Sequence, residues 1–343
     1  MYISAKTLDD LLREVFERLL KSKNHIEPSR APAKELSGVL LEITNPRARI
    51  SRTEKKGVPF GCLGELLWYL AGRKDLRFIS YYLPRYKEFS DDGRTIYGGY
   101  GPRLWDMRGV DQVKNVLRLL REKKDSRRAA IQLFDAEDIA EEHKDIPCTC
   151  TLQFMIRRRR IHMFVFMRSN DAFIGLPHDI FAFTMLQELF ARTLGVELGT
   201  YKHAVGSLHL YDRDAKGARL FLNEGFQATV SMPPMPVDDD DPWKSIRKVL
   251  KAERSIRHSG KVNISALRLD SYWGDIVRLL QIYWYYAQDR RHPGFSLSKK
   301  SQVAIMRIKR EMQSRIYDTY IEKKKRTAEQ KAADSKPEQV PLL

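Results

Sequence analysis

The spacing of apolar and polar positions changes several times along the chain, and each change marks an element. The opening segment MYISAKTLDDLLREVFERLL predicts an amphipathic helix running to about Lys21. SGVLLEI at 37–43 predicts a strand, and GELLWYLAG at 64–72 has helical apolar spacing. Gly93, Gly98, Gly99 and Gly101 punctuate a turn-rich stretch ending in YGGYGPRLW. A helix is predicted over 108–123, then strands at RRAAIQLF, TLQFMI, IHMFVFM and about 201–210. Between the last two lies a buried helix, HDIFAFTMLQELFARTLG, closed by Gly195.

Helices and strands do not alternate strictly, so the pattern argues for α+β rather than a doubly wound fold. Beyond the DDDDP run at 238–242, read as a loop, helices are predicted over 243–255, 271–287 and 300–326. The closing TAEQKAADSKPEQVPLL is polar and predicts a loosely ordered tail. No internal repeat is present.

Length and composition bound this picture. At 343 residues the chain can bury a sizeable core. No stretch approaches the ~18 uninterrupted apolar residues of a membrane-spanning helix. With acids throughout and no apolar core before a small-residue cleavage site, the first segment reads as an amphipathic helix rather than a signal peptide. Three cysteines, at 62, 148 and 150, give neither a disulfide framework nor a paired metal-ligand spacing. A reducing cytoplasmic setting and no metal are the expectation. The net charge of +17 implies either a solvated basic surface or an anionic partner, nucleic acid or a phosphorylated small molecule. No zinc-finger spacing, recognition helix or RNP-like aromatic pattern appears, so nucleic acid is the secondary choice.

Candidate chemistry gathers in IPCTCTLQF at 146–154, MRSNDAFIGLPHD at 167–179 and GSLHLYDRD at 206–214. Cys148 follows a proline at the mouth of a predicted strand. A thiolate needs positive charge nearby, which Arg168 with Ser169, or Arg127 with Arg128, would supply while clamping a phosphate. Nucleophilic cysteine chemistry on a phosphorylated substrate follows from the residues alone.

The order P-C-x4-Q-F, R-S-x-D-x-F-x-G-L-P and H-x-Y resembles the active-site signature of thymidylate synthases and their hydroxymethylase relatives. GELLWYLAG resembles the helix with the family's catalytic glutamate, DSRR its cross-subunit arginine pair, and YGGYGPRLW its tyrosine loop. The resemblance runs from about residue 60 to about 215. It implies the family's fold, a large twisted mixed sheet flanked by helices and a homodimer formed through the sheets. A single catalytic domain over 1–320 is expected, with a basic, polar tail over 321–343.

By the same resemblance Cys148 is the nucleophile toward ring carbon 6, and Glu65 and Tyr100 belong to the proton-transfer network. Arg168 and Ser169 bind the 5′-phosphate, with Arg127 and Arg128 from the partner chain and Arg30 as the N-terminal phosphate arginine. Gln153 orients the thiolate side, and His209 and Tyr211 hold the sugar. Asp171 and Gly175 face the co-substrate, 5,10-methylenetetrahydrofolate. Read from the residues alone, Asp171 is equally a turn cap, and His209 and Tyr211 simply share a strand face.

Two departures from the family pattern bear on substrate and product. Thymidylate synthases have asparagine where this chain has Asp179. An amide matches uracil with one donor and one acceptor, whereas a carboxylate accepts from the 4-amino group of cytosine and from a protonated N3. Asp179 therefore resembles the corresponding residue of deoxycytidylate hydroxymethylases. The segment YYLPRYKEFSDDG carries Tyr82, Tyr86 and Phe89 but no tryptophan to shield the exocyclic carbon, and PEQVPLL replaces the family's closing segment. Both favour water capture, giving a hydroxymethyl group. The expected substrate is dCMP or CMP. The alternatives are thymidylate synthesis, cytidylate methylation and a non-catalytic nucleotide- or RNA-binding relative.

Overall fold

A computed structural model describes residues 1–54, 56, 59–237, 241–289 and 297–322. By internal contacts the chain divides into two compact units, Met1–Val237 and Asp238–Leu343. The sequence reading drew one domain over 1–320, but the contacts part at the acidic run, which has no apolar residues to bury. The tail over 323–343, with its basic run and PEQVPLL, lies outside the described residues.

The first unit opens with β1 (Tyr2–Ala5) and α1 (Leu8–Lys21), whose N-cap Thr7 accepts from the Asp10 amide. Short β2 (His25–Ile26) leads into β3 (Ala33–Ile43), which starts four residues earlier than its alternation predicts. Next come α2 (Pro59–Leu70), α3 (Leu76–Tyr82), α4 (Tyr100–Trp105) and α5 (Gln112–Glu122). The predicted 108–123 helix begins late because Asp111 caps it, accepting from the Lys114 amide, while Met107 and Val110 form a tight bridge.

The sheet is completed by β4 (Ala130–Gln132), β5 (Thr149–Arg157), β6 (Arg160–Asp171) and β7 (Glu197–Tyr211). α6 (Gly175–Leu194) stands between β6 and β7, and α7 (Ala215–Asn223) follows them. Gly195 closes α6 in the left-handed conformation at φ 62°, as its sequence position predicts.

The seven strands form one mixed sheet in the order β1-β3-β7-β6-β5-β4, with β2 on β3. The β6–β7 and β1–β3 pairs are parallel and the others antiparallel. This is the expected α+β architecture. α6 is buried along most of its length and packs on β6, β7 and α2. Close packing of α2 on α3 needs Gly64, where a Cβ would sit 2.2 Å from the Tyr82 ring. A Cβ at Gly101 would lie 2.3 Å from the Arg73 carbonyl oxygen, so only glycine lets the loop seat Tyr100.

The second unit carries α8 (Pro242–Ser259), α9 (Ser271–Asp289) and α10 (Lys299–Glu311). The helix predicted over 300–326 stops at Glu311, because the Asp275 carboxylate accepts from the amides of Gln313 and Ser314 and turns the chain. No described helix is long and apolar enough to cross a membrane.

Candidate active site

Cys148 sits immediately before β5, where the β5–β6 register shifts between Thr149 and Thr151. The Arg168 amide donates to the Cys148 carbonyl at 2.9 Å. The guanidinium of Arg168 donates to the carbonyls of Pro147 (2.9 Å) and Ile146 (3.0 Å), and its Nη2 lies 3.8 Å from Cys148 Sγ. One arginine thus braces the loop that carries the thiol and places a positive charge beside it. Burial nevertheless pushes the Cys148 thiol up to about 11, with Arg168 opposing and the carboxyls of Asp145 and Asp179 adding to the rise.

A cavity of roughly 500 Å³ opens where β6 and β7 end and β5 begins. It brings together Cys148, Glu65, Tyr100, Asp179, Arg168, Ser169, Asp171, Gly175, His209, Tyr211 and Arg30. The parallel register explains part of this grouping. Ser169 pairs with Ser207 and Asp171 with His209, so residues distant in sequence end on one rim. His209 and Tyr211 have ring centroids 4.8 Å apart, and burial lowers the His209 pKa.

Arg30 reaches the cavity from the loop before β3, 3.5 Å from Asp145 and over the Phe89 ring at 4.3 Å. Burial raises Asp145 to about 6, against the pull of Arg30. Asp145 is absent from the sequence reading, since only the fold brings the Cys148 loop against the Arg30 loop.

Glu65, on the buried face of α2, accepts from the Tyr86 hydroxyl at one carboxylate oxygen and contacts His178 Nδ1 at 2.9 Å with the other. Burial pushes this carboxyl up, but His178, Tyr86 and Tyr69 outweigh it and hold the group below the usual carboxylate range. Tyr100 accepts from both the amide (3.1 Å) and the hydroxyl (2.9 Å) of Thr149, leaving its own O–H free to donate. Burial keeps that phenol protonated.

Asp179 Oδ2 accepts from the Asn170 side-chain amide at 2.7 Å. Burial raises Asp179 to about 8, with the charge of Glu65 adding to the rise and Asn170 opposing it. Asp171 takes the turn-cap role, its Oδ1 accepting from the amides of Phe173 (2.8 Å) and Ile174 (3.2 Å). Asp171 also lines the cavity.

Three expected residues lie elsewhere. Gln153 does not line the cavity; its side chain donates to the Arg127 carbonyl at 2.9 Å. The period of two along β5 turns Gln153 away from the face that bears Leu152 and Phe154. Arg127 and Arg128 are exposed, outside this chain's own cavity. Besides Asp145, His178 and Asn170 are functional candidates that sequence reasoning missed. They stand beside Asp179 and Asp171 in the quoted motif, and only their partners across the fold single them out.

Comparison with known proteins matches this arrangement to a family. The profile described as Thymidylate synthase covers residues 40–250. The chain belongs to the thymidylate synthase family. Similar proteins include the deoxyuridylate hydroxymethyltransferase of Bacillus phage SP01, 30% identical over 61% of this chain and 58% of the relative. The enzymes of that name from Pseudomonas phage M6 and Delftia phage PhiW-14 are also similar. They are 35% and 32% identical, over 46% and 51% of this chain and 46% and 52% of their own lengths. The chain spans about half the length of the curated relatives it matches.

Proposed function

We propose that this thymidylate synthase family member transfers a one-carbon unit to ring carbon 5 of a cytidine nucleotide, dCMP or CMP. Water then captures that carbon as a hydroxymethyl group. The observation that carries the choice of base is Asp179, a carboxyl buried on the cavity floor where the family pattern has an amide. Uncharged, it donates to cytosine N3 and accepts from the 4-amino group; passing its proton to N3 makes carbon 6 more electrophilic.

In this reading Cys148 Sγ bonds to carbon 6, and the electron pair of the 5,6 double bond moves to carbon 5. Arg168 supports the thiolate, and it grips the 5′-phosphate together with Ser169 and Arg30. Methylenetetrahydrofolate supplies the carbon at the oxidation level of formaldehyde. Trp68, Leu83 and Ile174 on the cavity wall would hold its flat ring, with Asp171 beside Gly175 as an acceptor. Carbon 5 would bond to the donated carbon; loss of the carbon 5 proton through the network around Tyr100 would then break the bond from that carbon to the folate nitrogen, releasing tetrahydrofolate and leaving an exocyclic methylene. Glu65 takes a proton from the water that adds to the exocyclic carbon. Cleavage of the carbon 6–sulfur bond restores the thiol and the aromatic ring.

A homodimer belongs to the same proposal. Arg127 and Arg128 are exposed away from their own cavity, and Phe166, 42% exposed, lies on the open sheet face. A uridine nucleotide is the second reading, favoured by the names of the phage relatives. A neutral carboxylic acid also offers uracil one donor and one acceptor. Incubation with dCMP, CMP, dUMP and UMP plus methylenetetrahydrofolate, with products identified by mass, tests the proposal. Hydroxymethylated cytidine nucleotide is expected. Hydroxymethylation of uridine nucleotides alone would transfer the assignment to the second reading.

A further inference from the structure

The imidazole of His178 occupies a seat made by α2. An ideal Cβ at Gly61 would lie 3.0 Å from His178 Cε1, so the helix surface is bare where the ring rests. One residue on, Cys62 faces the ring. One turn further, Glu65 meets Nδ1 at 2.9 Å. Gly61, Cys62 and Glu65 thus cradle one side chain of α6, and that side chain also lines the cavity beside Asp179. Packing alone does not call for this arrangement, since an apolar side chain would fill the same seat without an ion pair in the core.

Resting on the one-carbon reading, we propose that His178 is the positioning residue for Glu65. As a cation it keeps the carboxylate ionised and fixed, so that Glu65 serves as base toward the water that captures the exocyclic carbon. Tyr86 completes the clamp from the other oxygen. No atom of His178 need touch the nucleotide.

The charges around the pair fit this role. Tyr69 faces Glu65 from α2, Tyr86 from the turn after α3, and His178 and Asp179 from α6, while Cys62 faces His178. Asp145, on the Cys148 loop, and Tyr100, on α4, complete the set of titratable groups around it. Asp179 is raised to about 8 and Asp145 to about 6, so near neutral pH Asp179 is largely uncharged. Burial opposes the charged imidazole, yet Cys62 and Glu65 carry His178 well above its ordinary value. Glu65 and His178 are then ionised together over the neutral range, the state a base for water needs.

His178→Gln keeps a donor toward Glu65 but removes the cation. The acid limb of the kcat profile should move up by about one pH unit, because the carboxyl loses its counter-charge. Hydroxymethyl product should fall by about tenfold while tritium release from carbon 5 falls less, with KM little changed. An unmoved acid limb in an active wild-type background would overturn the role, leaving His178 a packing residue. NMR of the imidazole in the wild-type protein needs no turnover. An imidazolium persisting above neutral pH, and titrating lower in Glu65→Gln, is expected; a neutral ring at neutral pH overturns the inference. Wild-type protein inert on all four nucleotides would instead sink the one-carbon reading, and the NMR result would still judge the pair.

Discussion

Asn170 and Asp179 meet on the cavity floor, the amide nitrogen donating to Oδ2 at 2.7 Å. The amide comes from the end of β6 and the carboxyl from the second turn of α6. Because Oδ2 already accepts, the proton of the neutral acid resides on Oδ1. Asn170 Oδ1 is itself buried without a protein partner among the described residues. A cytosine edge meets the Asp179 carboxyl with a donor at ring position 4, whereas uracil presents a carbonyl there.

Asp179→Asn therefore tests base choice directly. A mismatched buried edge costs about 1–3 kcal/mol, roughly tenfold to a hundredfold in specificity. The variant should lose turnover on the cytidine nucleotide and gain relative activity on the uridine one. The quantity to measure is the ratio of kcat/KM for the two bases in both proteins. An unchanged ratio would make Asp179 a structural residue only.

The same substitution has a pH signature in stability. The folded pKa of Asp179, about 8, lies above its unfolded value. Its contribution is then complete at pH below the unfolded value and is lost as pH rises toward 8. Asp145, raised to about 6, acts in the same direction but is common to both proteins. The Tm of Asp179→Asn minus that of the wild type should grow from about pH 5 to about pH 9. A constant difference would show that the carboxyl is not held neutral by burial.

Cys148 is a poor nucleophile in the free protein, because burial lifts its thiol to about 11. Iodoacetamide should modify it slowly at neutral pH and faster as pH rises, and Arg168→Ala should slow it further. Cys148→Ala should abolish both turnover and tritium release from carbon 5. Cys150→Ala, at the register shift of β5, should keep substantial activity. Equal losses from the two cysteine variants would remove Cys148 from the nucleophile's role.

Arg128 is exposed and outside its own chain's cavity, as a residue lent to a partner would be. Mixing Arg128→Ala with Cys148→Ala protein should restore activity, since one hybrid site retains both residues. Hybrids that form and stay inactive would count decisively against a shared site.

Arg30 meets Asp145 and the Lys144 carbonyl, whereas Arg168 holds the carbonyls of Ile146 and Pro147, so loss of Arg30 leaves the nearer brace of Cys148 in place. Arg30→Ala should raise KM for the nucleotide by about tenfold or more, with a smaller change in kcat, as expected for one charge-assisted phosphate contact. Titration of Asp145, followed by NMR, should shift upward in the same variant. A kcat loss with KM unchanged would place Arg30 outside phosphate binding.

What the sequence determined by itself were the periodic elements and the order of the motifs. Local periodicity placed α6 and β5 to β7 within a few residues, because burial of one face imposes a spacing that survives without the partner; of the predicted opening helix only Leu8–Lys21 is helical, Tyr2–Ala5 pairing with β3 as a strand instead. The ordered motifs likewise carried Cys148, Arg168, Asp171, Asp179, His209 and Tyr211 into one cavity. Tertiary structure decided the rest. That Glu65 is clamped by His178, that Asn170 holds Asp179, and that Arg30 meets Asp145 depends on pairs 113, 9 and 115 residues apart. Gln153 was legible as a motif residue, yet the pleat of β5 turned it from the cavity toward Arg127. The end of α10 was likewise set by Asp275 and not by its own sequence, since a buried carboxylate accepts two amides more favourably than the helix continues. Each of these outcomes turns on which polar groups are buried together. A chain writes its periodicity locally, but the desolvation that fixes charge, protonation and hydrogen-bond direction exists only once distant segments have closed over one another.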